Sequence, residues 1–120
     1  MKLYIGGAGN GQRGLAQSET GLTPVSCTPD AAFTAPMIDN FHLTVRELLQ
    51  NGGDAKAFAR RLTEKNPAAV IICDEIGLGI VPLDAFERRW REETGRALCI
   101  LAEASERVTR VYCGIPQVIK

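Results

Sequence analysis

The chain has 120 residues, with 14 basic and 14 acidic side chains, a formal net charge of +0 and a hydrophobic fraction of 45%. That length supports one folded domain with a real core and leaves no room for a second. Zero net charge offers no basic field to nucleic acid or to an anionic membrane surface, so any phosphate has to be held by local groups.

Met1 is followed by one lysine and too few apolar residues for a secretory segment, and no apolar run reaches the ~20 residues of a membrane span. The four cysteines, Cys27, Cys73, Cys99 and Cys113, form no Cys-x-x-Cys pair and share the chain with a single histidine, His42. Three of them sit in apolar runs. Buried, reduced thiols in a cytoplasmic protein are the expectation, and a zinc site is not.

Lys2 to Ile5 reads as a short buried strand. It runs into Gly6, Gly7, Ala8, Gly9, Asn10, Gly11, Gln12 and Arg13, and then into a helical pattern. Gly-x-x-x-x-Gly between strand and helix is where a phosphate-binding loop belongs: glycines let backbone N–H groups converge, and the helix N-terminus adds its positive dipole end. Such loops continue with lysine and then serine or threonine, for the phosphates and for Mg²⁺. Here Gln12 carries no charge, while Arg13 returns the charge one residue later and removes the hydroxyl ligand. Read from spacing alone, a glycine-rich turn without a ligand stands as an equal alternative.

Val25 to Cys27 reads as a second strand, Ser26 to Ala35 as loop around Pro29, and Pro36 to Ile38 as a third strand ending at Asp39. "FHLTVRELLQNGG" has apolar residues at helical spacing and a glycine stop, and Asp54 caps a second helix, "DAKAFARRLTEKN". "AAVIICDE" is a continuous β-branched apolar run, as in a central parallel strand buried on both faces. Beyond the loop "IGLGIVP", Asp84 caps a long amphipathic helix, and "RVTRVYCG" supplies a last strand. Alternating strands and helices predict an α/β fold with a mostly parallel sheet.

Asp39, Asp74 and Glu75 therefore fall at the carboxyl ends of strands, where open α/β sheets bind ligands and where an acid can hold Mg²⁺ directly or through water. For any one of them a helix cap or a solvated strand end is the plainer alternative. His42, at the start of a helix, reads as a partly exposed structural residue rather than a nucleophile. Arg88, Arg89 and Arg91 around Trp90 read as a solvated helix face with the indole packed inward.

"DEIGLGIVPLDAFERRWREETGR" and "VTRVYCGIPQVIK" closely resemble the C-terminal half of the bifunctional adenosylcobinamide kinase / adenosylcobinamide-phosphate guanylyltransferase family. Glu75, Gly77, Gly79, Ile80, Val81, Pro82, Arg91, Gly95, Arg96, Gly114 and Ile115 match. "YIGGAGNGQR" is similar to the family's Gly-Gly-x-x-Ser-Gly-Lys-Ser loop, and "MIDNFHLTVRELL" to its acid-ended strand and following helix. The resemblance implies a P-loop NTPase-like, three-layer α/β fold in one domain over residues 1–120. It implies GTP or ATP held by the Gly6 to Arg13 loop, Asp39 and Glu75 in catalytic roles, and Mg²⁺ at Asp39. It also implies a place in cobalamin biosynthesis, adenosylcobinamide as second substrate, and a homotrimer. Three departures stand beside these matches. The family's lysine and hydroxyl are Gln12 and Arg13; the segment bearing its guanylylated histidine is shortened to Thr28 to Thr34 and holds no histidine; its Asn-Gln pair is Leu98 and Cys99. Two functions follow, a kinase in which Arg13 supplies the lysine's charge, or a non-catalytic nucleotide-binding or assembly subunit.

Overall fold

The computed structural model describes residues 1–120. The elements run β1 (Lys2–Gly6), α1 (Gln12–Thr20), β2 (Val25–Ser26), β3 (Met37–Asp39), α2 (Phe41–Gln50), α3 (Ala55–Lys65), β4 (Val70–Asp74), α4 (Ala85–Ala104), β5 (Arg107–Tyr112) and β6 (Ile115–Val118). The strands form one sheet in the order β2-β3-β4-β1-β5-β6. Every neighbouring pair is parallel except β5 with β6.

Side chains alternate across a strand, so a central strand must be apolar on both faces to be covered on both. Leu3, Ile71, Cys73 and Val108 point to one face, where Phe41, Val45, Phe58, Leu62, Ala97 and Leu101 of α2, α3 and α4 cover them. Tyr4, Met37, Val70 and Ile72 point to the other, against Ala16 of α1. The result is three layers, with α1 on one side of the sheet and the remaining helices on the other. This is the P-loop NTPase-like architecture. Asp54 caps α3 by accepting from Lys56 N and Ala57 N at 3.0 and 3.2 Å, and Asp84 caps α4 by accepting from Glu87 N at 3.0 Å. Each cap satisfies N–H groups that the first turn leaves without partners. No helix is long and apolar enough to cross a membrane.

Three local expectations are corrected. The Ser26 to Ala35 stretch contains a 3₁₀ turn at Ala31–Phe33, pinned by Asn66 Nδ2, which donates to Ala32 O and Ala35 O at 2.9 Å each. The strand after Glu106 is not the last: Cys113 (φ 50) and Gly114 (φ 76) turn the chain back into β6. Two consecutive positive φ values are the hairpin geometry that matches strand twist. β6 is exposed along its whole length and contains Pro116, so it lacks the alternation that marks a strand and takes an edge position. Finally, Cys27 and Cys73 are buried, whereas Cys99 on the outer side of α4 and Cys113 in the hairpin are exposed.

From β1 the chain crosses by α1 to the far edge at β2, while β4 returns by α4 on the opposite face to β5. The connections diverge between β1 and β4, which opens a crevice beyond their carboxyl ends. The glycine-rich segment lies there.

Candidate functional site

β1 ends at Gly6, where an added Cβ would stand 2.7 Å from Val111 O. No larger residue lets the strand pass its neighbour there. The chain enters α1 through Gly11, whose φ of 93° is a conformation that other residues rarely adopt. Gly11, Gln12, Arg13 and Gly14 have N–H groups without hydrogen-bond partners, and no side chain caps this helix. Gly11, Gln12 and Arg13, with the helix dipole behind them, line a cleft of about 360 Å³ together with Gly9, Asp39 and Asp74 among others.

The loop is fastened from a distant part of the chain. Asn10 O accepts from Gly114 N at 2.7 Å and Asn10 Oδ1 accepts from Cys113 N at 3.0 Å. The β5–β6 hairpin thus holds the loop by its middle residue. Nothing in the local sequence signals this contact, because Asn10 and Cys113 are 103 residues apart.

Gln12 turns inward under the loop and is 4% exposed. Its Nε2 lies 3.1 Å from Gly6 O, 3.2 Å from Gly7 O and 2.7 Å from Asp74 Oδ1, while its Oε1 is buried with no partner. The side-chain amide is therefore spent on the loop and on β4. Arg13, the next residue, points outward and across to β3: its Nε is 2.6 Å from Asp39 Oδ2. Asp39 Oδ1 accepts the N–H of Asn40 at 2.8 Å, and Asn40 (φ 50) starts α2 directly after the strand.

His42 is buried rather than partly exposed, at 7%. Its Nδ1 accepts the Asp74 N–H at 3.3 Å, which leaves the ring proton on Nε2, 3.7 Å from Asp74 Oδ2. Burial pushes the His42 pKa below its ordinary value, against the opposing pull of Asp74 and Asp39. The ring is neutral at neutral pH. Trp90 closes over this corner, donating from Nε1 to His42 O at 2.7 Å. The neighbouring Cys73 thiol is pushed well up by burial and is no nucleophile.

Of the acids singled out from the sequence, the structure brings Asp39 and Asp74 together in the cleft and turns Glu75 away. Glu75 pairs with Arg110 at 3.0 Å on the β5 side and lines a separate hollow of about 250 Å³ with Ile76, Arg91, Thr94 and Leu98. The reason is period-two geometry: adjacent residues at a strand end face opposite ways. Around Trp90, which packs inward against the core, Arg88 and Arg89 are exposed as a solvated helix face, but two of the arginines also hold backbone. Arg88 donates to Pro82 O at 3.1 Å and to Leu83 O, and Arg91 donates to Ile80 O at 2.7 Å and to Gly77 O, so both hold down the β4–α4 loop.

A mostly parallel sheet, a glycine loop leading from its central strand into a helix, and acids at the ends of the adjoining strands define a protein of the P-loop α/β class. The chain belongs to the cobinamide kinase / cobinamide phosphate guanyltransferase family, whose profile matches residues 23–119. That match starts after α1, so the glycine loop lies outside it. Over 68 residues the chain is 35% identical to the bifunctional adenosylcobalamin biosynthesis protein CobP of Pseudomonas aeruginosa. The aligned stretch covers 57% of this chain and 39% of that relative, well under half of the latter's length.

Proposed function

We propose that this chain binds a nucleoside triphosphate, GTP or ATP, at the Gly6 to Arg13 loop, and that it serves cobalamin biosynthesis in the cytoplasm. One observation carries the reading: four adjacent N–H groups, Gly11 to Gly14, stand unpartnered at the head of α1, and the first three of these residues line the cleft. Converging donors at a helix N-terminus, three of them on exposed residues, are open to an incoming anion, and a phosphate supplies several oxygens at once. Family membership supports the pathway and makes adenosylcobinamide the second substrate to test. Asp39 and Asp74 are the acids nearest the loop, with Glu75 as a second-rank candidate from the hollow beside it.

A second reading, a binding or assembly subunit without group transfer, is favoured by the side chains themselves. Gln12 is consumed by the loop, and His42 is buried and uncharged, so neither a phosphate-neutralising cation nor a covalent nucleophile faces the cleft from those positions. Ile80 and Leu83, 94% and 96% exposed, support a homo-oligomer through the β4–α4 loop. Calorimetric titration with GTP and ATP, followed by turnover with adenosylcobinamide, separates the readings. Binding with turnover makes it a kinase, binding without turnover a subunit, and no binding removes the nucleotide from the account.

A further inference from the structure

In P-loop enzymes that transfer phosphoryl groups, a hydroxyl directly after the loop lysine and an acid at a neighbouring strand end hold a divalent cation against the phosphates. Here the residue in the hydroxyl position is Arg13, and it holds Asp39, at the end of β3 one strand beyond β4, at 2.6 Å, while Asp74, at the end of the adjoining β4, has its Oδ1 taken by Gln12 Nε2 at 2.7 Å. Both Asp39 carboxylate oxygens are engaged, Oδ2 by the guanidinium and Oδ1 by the Asn40 N–H. The Asp39 side chain is 7% exposed and that of Arg13 is 58% exposed, so the cation covers the acid and presents its own outer side to the cleft. No three His, Cys, Asp or Glu side chains converge anywhere to offer a metal another set of ligands. A Mg²⁺ ion at Asp39 would lie against a fixed positive charge, so these residues do not fit it.

We propose that Arg13 stands in place of the divalent cation, so that the loop takes its phosphate ester free of metal. The inference rests on the nucleotide reading above and sharpens it. A guanidinium fork can pair two phosphate oxygens while remaining bound to a carboxylate through Nε, which a hydrated metal ion would do only with open coordination positions and oxygen ligands. The ligand class is then a nucleotide, or another phosphate ester, without bound Mg²⁺.

The test is run on the full chain and on Arg13→Ser, which restores a hydroxyl and uncovers Asp39, with Arg13→Ala as a second variant in case the first is poorly folded. GTP is titrated by calorimetry in excess Mg²⁺ and in EDTA. The wild-type dissociation constants are expected to agree within about threefold, and Arg13→Ser is expected to bind roughly tenfold or more tightly with Mg²⁺ than without. In parallel, Mn²⁺ is added without nucleotide and the broadening of the Asn40 amide resonance is followed by NMR. Broadening should be weak in the wild type, strong in Arg13→Ser and Arg13→Ala, and lost again when Asp39→Asn is added to either. Wild-type binding that weakens tenfold or more in EDTA, or equal broadening in wild type and variants, overturns the proposal. If GTP binds under neither condition the nucleotide reading fails, and the Mn²⁺ comparison still decides whether Arg13 keeps a cation off Asp39.

Discussion

Replacing Gln12 with lysine tests what the base of the glycine loop is shaped to hold. The Gln12 amide has two N–H groups for three acceptors, Gly6 O, Gly7 O and Asp74 Oδ1 at 3.1, 3.2 and 2.7 Å, and its own Oε1 is left unpaired. An ammonium group brings three donors and no acceptor. Gln12→Lys would serve all three acceptors and abolish the orphan oxygen. Removing an unpaired buried acceptor recovers about 1–3 kcal/mol, and a charged hydrogen bond to Asp74 contributes about 1.5–3 kcal/mol. Desolvating the ammonium costs several kcal/mol in the other direction. The sum is close to zero, so the variant should melt within about 5 °C of the wild type. Its affinity for GTP should rise about tenfold, equivalent to about 1.4 kcal/mol, from the added positive charge beneath the phosphates. Gln12→Leu is the control. Gly6 O and Gly7 O keep the N–H groups of Glu75 and Asn10 at 2.8 and 3.2 Å, so chiefly Asp74 loses a partner. That costs about 1–3 kcal/mol. Circular-dichroism melts and GTP titrations on the three proteins make the comparison. A lysine variant as destabilised as the leucine variant would refute the three-acceptor reasoning; a stable lysine variant with unchanged affinity would show that the loop does not face phosphate.

Three further outcomes are expected. Because burial holds the His42 pKa below its unfolded value of about 6.5, its contribution to stability is complete above that pH and is lost as pH falls toward the folded value, the unfolded chain taking up the proton first. Melting temperature should therefore drop as pH falls below about 6.5 more steeply in the wild type than in His42→Gln; parallel curves would remove His42 from the account. Two thiols, Cys99 and Cys113, should react rapidly with a disulfide reagent in the native protein, and Cys27 and Cys73 only on unfolding; a fast third thiol would contradict the burial pattern. Asn10→Ala should raise the amide exchange rate at Cys113 and cost about 1 kcal/mol, since one side-chain hydrogen bond is lost while the Asn10 carbonyl keeps Gly114 N. Unchanged exchange at Cys113 would mean the hairpin holds itself in place.

The chain's own order of residues determined the elements and their class. β4 was legible because its apolar run has no polar alternation, and α3 and α4 because aspartates stand where first-turn N–H groups need acceptors. The placement of the glycine loop at the end of β1 was legible because glycine is the residue that most readily takes the positive φ found at Gly9 and Gly11. What the sequence could not show is which groups answer one another across the crevice. Asp74 rather than Glu75 faces the loop, because strand phase relative to neighbouring strands is a property of the assembled sheet. His42 became a buried neighbour of Asp74 only when α2 packed on β4, and β6 became a strand only because β5 offered it an edge. Arg13 and Gln12 read alike as replacements for lost chemistry, yet adjacent helix positions diverge by about 100°, so one turned under the loop to Asp74 and the other across to Asp39. Pairings of charges over such distances depend on the tertiary fold, because no local periodicity encodes them.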